Sequence, residues 1–513
     1  MAEDTIKRLT VTPSASAALE TGKGILTTLG RMGAVYALSF AGSIVLARLL
    51  SPRDFGIYAV STFLVDSIFR FSNLGLGAAL VQQREAPTAK EMRTVFTCQF
   101  LVVTGGSLLI AALATILSRI FRLDVEAAWL VRLLTMTWII GTLVSNSRIL
   151  LTRRLDFATL ASIDIAESVL YQAAAVFLAF LGYGYWSFGL AALFSGLAGN
   201  GIAFVKAPWP IGVAWDKAAF RRTFAFGARF QLSGMSSIFR DSIINLLGGP
   251  LYGPQVVGYL NWGRGNAERF GHAITQAVAQ VAFPGLCRTR DDPRLTEKLV
   301  ERMMSHCVLV AAPCLAIVSA LLPQIIIVVY TAKWLPASTA FYCFACRYLM
   351  ANLITPLDAF LKASGRVSDS VRIMWVWTAA EWVLALVIVN IFGSNGIAVS
   401  YALGSFMGAY LLHRALHEAM RVKLAPLFLR PVAAAVLAGL GVWTLANLVL
   451  GGGRVQTITW LIGLGLMGVV LYGVCLAVLG GGSLAAQALQ DVFRIARQGK
   501  TGRSLSGSLV AVE

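Results

Sequence analysis

Apolar runs of about twenty residues, repeated along nearly the whole chain, leave few folds open to it. They lie at about 25–47, 55–82, 92–117, 127–150, 159–181, 185–205, 223–247, 255–283, 302–328, 337–361, 371–391, 396–418, 430–450 and 457–479. Composition agrees: 57% of the 513 residues are hydrophobic and 13% charged, where a soluble domain carries about 25% charge. The expected fold is an all-α polytopic membrane protein with about fourteen transmembrane helices.

The charges between the runs alternate. One set of loops holds Lys7, Arg8 and Lys23, then Arg84, Lys90 and Arg93, then Arg153 and Arg154, and so on to Arg494, Arg497, Lys500 and Arg503. The other holds little beyond Arg48, Arg53, Arg119, Arg122, Lys333 and Arg454. The positive-inside rule makes the first set cytoplasmic, with both termini inside. The net charge of +18 is therefore a topology signal and not a nucleic-acid footprint. Residues 1–24 lack the order of a signal peptide and read as an uncleaved cytoplasmic lead. Residues 481–513 read as a cytoplasmic tail.

Several charges sit inside or beside the runs: Arg31, Asp66, Arg70, Arg132, Asp164, Glu167, Arg229, Arg240, Asp241, Arg264, Glu268, Arg269, Arg347, Asp358 and Glu381. Each costs about 2.5–3.5 kcal/mol at a helix centre on the insertion scale, so a set of them implies an enclosed polar interior. The i, i+4 spacing would pair Asp66 with Arg70 and Arg264 with Glu268 as helix fasteners. Asp66, Glu268, Glu381, Asp164 and Glu167 are candidates for charge pairing or ion coupling. Ser51-Pro52-Arg53-Asp54 is a helix start, with a capping Ser, Pro at the first helical position and an acid three residues on. Cys343 and Cys346 have no second pair or His nearby, and His413 and His417 sit at an interface, so no metal is expected. No phosphate-binding G-x-x-x-x-G-K-[ST] loop is present, so neither a nucleotide nor another cofactor is expected.

A weak repeat runs through the chain. Phe55-Gly56-Ile57-Tyr58 corresponds to Val257-Gly258-Tyr259, and Asp66 and Glu268 each follow their glycine by ten residues. Two six-helix units of like orientation follow, at 25–210 and 211–425. The second opens on an amphipathic interfacial stretch, Trp215–Phe224. Two extra helices at 426–480 lie outside the repeat.

The stretch from Ala47 through Pro52, Phe55-Gly56 and Tyr58 to Leu74-Gly75-Leu76-Gly77-Ala78-Ala79-Leu80-Val81-Gln82 resembles the first helical hairpin of bacterial polysaccharide flippases. These belong to the multidrug/oligosaccharidyl-lipid/polysaccharide exporter superfamily. The resemblance implies two pseudo-symmetric bundles around a central cavity and transport by alternating access in the inner membrane. It implies an undecaprenyl-diphosphate-linked oligosaccharide as substrate, with membrane lipid and a polysaccharide polymerase or co-polymerase as partners. Arg31, Arg70, Arg240, Arg264, Arg269 and Arg347 would then form a cationic cavity, because the arginine fork matches phosphate oxygens and keeps its proton when buried. Tyr58, Tyr171, Tyr259, Trp262 and Asn261 are candidate walls for the sugars. A peptidoglycan lipid-precursor flippase and a multidrug exporter are the alternatives within the superfamily; a drug exporter should favour cavity acids, and this chain favours Arg. A membrane glycosyltransferase or polymerase would be expected to place catalytic residues in a sizeable outer loop, which the sequence lacks.

Overall fold

The computed structural model describes residues 33, 35, 37–72, 80, 88–209, 211–217, 220–221, 223–224, 235–288, 292–416, 424–449 and 457–480. Arg31 and His417 lie outside the described residues. Helix starts follow the capping chemistry written in the sequence. The Ser51 N–H donates to Asp54 Oδ2 at 2.8 Å and the Asp54 N–H returns a bond to Ser51 Oγ at 3.2 Å, which opens α2 at Pro52. Thr88 and Glu91 repeat the device, and Asp292 caps the helix that begins at Pro293.

In chain order the helices are α1 (Ala37–Leu49), α2 (Pro52–Ser72), α3 (Ala89–Ile120), α4 (Ala127–Arg153), α5 (Phe157–Phe180) and α6 (Trp186–Lys206). Then come α7 (235–241), α8 (Ile243–Tyr252), α9 (Pro254–Arg288), α10 (Pro293–Ala320) and α11 (Ser338–Ala363). Last are α12 (Val367–Phe392), α13 (Asn395–Leu416), α14 (Leu424–Val449) and α15 (Ile458–Val478). The chain is an all-α, multi-pass membrane protein. Among the described residues nine helices are long and apolar enough to cross a membrane by length and composition. The other five runs of the sequence reading are 25–47, which falls largely outside the described residues, and 55–82, 223–247, 255–283 and 337–361. Of those four, 223–247 lies partly outside the described residues and its described part is broken at Ser242, whereas Asp66 and Arg70, Arg264 through Arg269, and Arg347 put embedded charge into the other three.

The chain divides into two compact units. One holds residues up to 238 together with Asn245–Gly258, the other Phe239–Ile244 together with 259 onward.

In the first unit, α1, α2, α5 and α6 share a core of Leu46, Leu50, Ala175, Ala179, Phe188 and Ala191. The α2–α9 crossing is closer still. A Cβ on Gly56 would lie 1.6 Å from the Pro254 carbonyl oxygen, and one on Gly258 would lie 1.9 Å from that of Pro52. Only glycine permits such backbone approach. The segment after α6 is pinned to α3, with Trp209 buried against Met92 and Phe96 and Lys90 3.3 Å from Asp216. The aromatics of the expected interfacial stretch form a ladder, Trp215 to Phe220 at 5.1 Å and Phe220 to Phe224 at 5.2 Å.

In the second unit, α10, α11, α14 and α15 enclose a larger core that includes Met303, Met304, Leu353, Leu357, Ala434 and Leu476. Tyr472 of α15 donates to the Leu309 carbonyl of α10 at 3.1 Å, so the two last helices are fastened to that unit. Between α10 and α11 a π turn, Ile326–Tyr330, meets a 3-10 turn, Ala332–Ala337, at Thr331 (φ 94°, ψ 153°). That backbone region belongs almost entirely to glycine and costs about 1–3 kcal/mol. It is held by Trp334, fully buried and stacked on Trp262 at 5.5 Å, and by Tyr330, whose hydroxyl donates to Asn266 Oδ1 at 2.9 Å.

Candidate anion-binding site

The densest cluster of embedded charge lies within the second unit. It begins at a break: α7 ends at Asp241, Ser242 makes a turn, and α8 resumes at Ile243. Neighbouring side chains diverge by about 100° around a helix. Arg240 is accordingly buried, whereas the side chain of Asp241 is 43% exposed.

Three further helices close on these two residues. Arg347 of α11 donates through Nη1 to Glu381 of α12 at 2.6 Å, and its Nη2 lies 3.7 Å from Asp241 Oδ1. Arg264 of α9 reaches the same Asp241 oxygen at 3.0 Å. Arg240 Nε stands 3.9 Å from the other Glu381 oxygen, too far for a hydrogen bond. Arg347 therefore bridges two carboxylates, each of which also faces a second arginine. Aromatic faces complete the arrangement. The Arg240 guanidinium lies 3.8 Å from the ring centre of Trp377, and that of Arg347 4.4 Å from the ring centre of Tyr401. The Tyr401 hydroxyl donates to the Arg240 carbonyl at 2.6 Å, which fixes the end of α7.

Local sequence makes room for this packing. Gly404 and Gly408 fall on one face of α13. A Cβ at Gly404 would lie 2.9 Å from Glu381 Cγ, and one at Gly408 2.7 Å from the Trp377 ring. Glu381 and Trp377, four residues apart on α12, fit into the two gaps. Glu381 is fully buried. Removing one partner of such a pair costs about 3–5 kcal/mol, because a bare charge is left behind.

The structure gathers Arg240, Arg264, Arg347 and Glu381 from among the sequence candidates. It also brings in Asp241, Trp377 and Tyr401, which no spacing rule picks out. The i, i+4 rule pairs Arg264 with Glu268, but Arg264 instead meets Asp241, and Glu268 accepts the Tyr348 hydroxyl at 2.9 Å. Arg269 donates to Asn266 Oδ1 at 3.3 Å, the oxygen that Tyr330 also uses. Glu381 has no charged neighbour on its own helix within two turns, yet it is bonded across to Arg347.

The first unit holds a different cluster. Arg148 donates to Asp164 at 2.8 Å and to Glu167 at 2.6 Å, all three side chains being 32% exposed. Sequence reading left Arg148 aside. The signal was Asp164-x-x-Glu167, two acids on one helical face that need a cation from a neighbouring span. Asp66 is half-buried and faces Trp138 and Arg70, with Arg70 itself exposed. The expected sugar walls are largely packing: Tyr58 stacks on Phe188 at 4.7 Å and bonds to Tyr171, and Trp262 is enclosed by Trp334 and Tyr330.

Comparison with known proteins gives this arrangement a setting. The profile of a family described as "Polysaccharide biosynthesis protein" matches residues 45–339, more than half of the chain. The teichuronic acid biosynthesis protein TuaB of Bacillus subtilis (strain 168) is 26% identical over 306 residues, 57% of this chain and 61% of that protein. The chain thus spans less than two thirds of that relative. The succinoglycan biosynthesis transport protein ExoT of Rhizobium meliloti (strain 1021) is 26% identical over 383 residues, 71% of this chain and 73% of that protein. Among solved structures, the lipid II flippase MurJ in an inward closed conformation superposes with a TM-score of 0.67 at 13% identity, covering 91% of this chain and 98% of that one. An inward-facing multidrug resistance MATE family transporter of the MOP superfamily gives 0.54 at 14% identity, covering 75% and 94%. At such identities the likeness is one of fold. The chain belongs to the polysaccharide biosynthesis protein family and has the fold of the multidrug/oligosaccharidyl-lipid/polysaccharide exporter superfamily.

Proposed function

We propose that the protein is a flippase for lipid-linked oligosaccharide, and that Arg240, Arg264 and Arg347 receive the diphosphate that joins sugar to lipid. The carrying observation is the gathering of three arginines from three helices around two carboxylates inside one unit of a chain of this family. A cluster that only fastened helices would not need a surplus of base over acid. Here Arg240 keeps two guanidinium nitrogens without a hydrogen-bond partner while lying flat on Trp377. Arginine's fork fits phosphate oxygens two at a time.

The rest of the reading follows from the family and the charge pattern. The protein sits in the bacterial inner membrane with both termini inside, and moves its cargo outward by alternating access between two six-helix units, without enzymatic turnover. Undecaprenyl diphosphate is the lipid carrier, and a polysaccharide polymerase or co-polymerase receives the product. Moving about two negative charges outward across an inside-negative membrane gains roughly 4.6 kcal/mol per 100 mV. Arg70, Arg269 and Arg31 are further candidates along the path. Asp164, Glu167 and Glu381 are each bonded to an arginine, which fits fastening better than ion carriage.

The test uses the purified protein in liposomes with a fluorescent lipid-diphosphate oligosaccharide on one leaflet. Arg264→Lys keeps the charge and loses the fork. It should cut flipping about tenfold or more at equal amounts of folded protein. Full activity of the lysine variant would remove Arg264 from the site.

A further inference from the structure

The two carboxylates of the cluster differ in one decisive respect. Glu381 is fully buried, whereas the Asp241 side chain is 43% exposed. Both face Arg347, from opposite sides of its guanidinium: Nη1 meets Glu381 at 2.6 Å and Nη2 lies 3.7 Å from Asp241. Glu381 therefore fixes Arg347 from the interior, with Tyr401 under its face. Asp241 lies on the open side, between Arg347 and Arg264.

We propose that Asp241 is a resident counter-anion, holding the fork of Arg264 and Arg347 in the empty carrier and yielding it to the substrate's diphosphate. This rests on the flippase reading above and concerns how its site is regulated. Two arginines converging on one point repel unless an anion lies between them. Asp241 supplies one negative charge, and a diphosphate about two, with oxygens that each guanidinium can grip in pairs. The exchange thus improves the neutralisation of both arginines. Neither has to move far, because Arg347 stays on Glu381 and Arg264 lies on a helix fixed to α11 through the Tyr348–Glu268 bond. Asp241 can leave, because it ends α7 and the next residue is a turn. When the cargo departs, Asp241 closes the fork again, so the carrier returns without two bare cations. A carboxylate used only as a fastener would be expected on the buried side, where Glu381 already is.

The experiment measures binding of undecaprenyl diphosphate to the full-length protein in detergent, with undecaprenyl monophosphate alongside. Asp241→Asn removes the competitor and nearly keeps the shape. It should bind the diphosphate about tenfold tighter, with a smaller gain for the monophosphate. In liposomes the same variant should complete a first turnover but slow several-fold in later ones, because release is no longer assisted. Asp241→Glu retains the charge and should tighten binding far less than Asp241→Asn. Asp241→Ser, compared at equal folded fraction, gives the same reading should the asparagine variant fold poorly. Weaker or unchanged binding in both Asp241→Asn and Asp241→Ser would overturn the proposal. If the wild type binds, Arg264→Lys loses binding and the Asp241 variants do not tighten, the counter-anion is refuted and the site stands. If the wild type does not bind either lipid phosphate, the site reading fails and the counter-anion with it.

Discussion

Each unit contains a carboxylate resting on a glycine of the next helix, and the two sites differ in what surrounds that pair. In the first unit Glu167 of α5 lies against Gly199 of α6, where a Cβ would come within 2.8 Å of its Oε2. In the second, Glu381 of α12 lies against Gly404 of α13. Among the described residues Arg148 binds both Glu167 and Asp164, with both bonds short and the trio a third exposed. Around Glu381, among the described residues, arginines outnumber acids, Glu381 itself is fully buried, and one guanidinium keeps two nitrogens without a hydrogen-bond partner. Arg148 is matched by its own acids, whereas the second cluster holds more guanidinium than carboxylate.

The comparison predicts a ranking of mutational damage. Glu381→Ala should be the most severe, stripping Arg347 and Arg240 of their buried partner at about 3–5 kcal/mol. Membrane-inserted protein should fall sharply, with a lower melting temperature in detergent. A stable, active Glu381→Ala protein would erase the distinction between the two sites. Arg148→Ala should cost less, about 1–3 kcal/mol, since the stranded Asp164 and Glu167 reach water. Combining it with Asp164→Asn and Glu167→Gln should restore both abundance and flipping, because nothing but fastening was lost. If abundance returns and flipping does not, the first-unit cluster belongs with the binding machinery.

The smallest effect is expected outside both clusters. Asp156 caps α5, and hydrogen bonds from the Thr159 hydroxyl and then its N–H hold the carboxyl below the usual carboxylate range. A depressed value in the folded state means stability that is present above the unfolded value of about 3.9 and is lost as pH falls through the folded one. Asp156→Ala should cost about 1 kcal/mol near neutrality. The variant should converge on the wild type in strong acid, with flipping per folded molecule unaltered throughout. A melting-temperature difference that persists below the pH at which the folded-state carboxyl takes up its proton would assign the effect to something other than the cap.

Helix positions were legible because membrane insertion depends on local hydropathy, and the Ser51–Asp54 cap because its bonds are three residues long. The clusters were less so. Spacing on one helix proposes partners on that helix, and Arg264 with Glu268 obeys the rule on paper. In the folded chain Tyr348, 80 residues away in sequence, takes Glu268 and leaves Arg264 to Asp241. Asp241 stood beside Arg240 in a run where adjacent charges point apart, and only the break at Ser242 makes it useful. Gly404 and Gly408 carried a trace of the site, since two glycines one turn apart mark a groove, but the residue that fills it cannot be read from the groove alone.

The starts of α2 and α9 constrain each other's sequence. Pro52 begins one helix and Gly56 follows four residues later; Pro254 and Gly258 repeat the spacing in the other. Gly56 lies on the Pro254 carbonyl, and Gly258 on the Pro52 carbonyl. The contact is reciprocal, each helix start meeting the other's proline carbonyl. The two glycines therefore cannot change independently. A side chain acquired at either glycine runs into the other helix's backbone, so both are held to a residue that their own helices would otherwise disfavour.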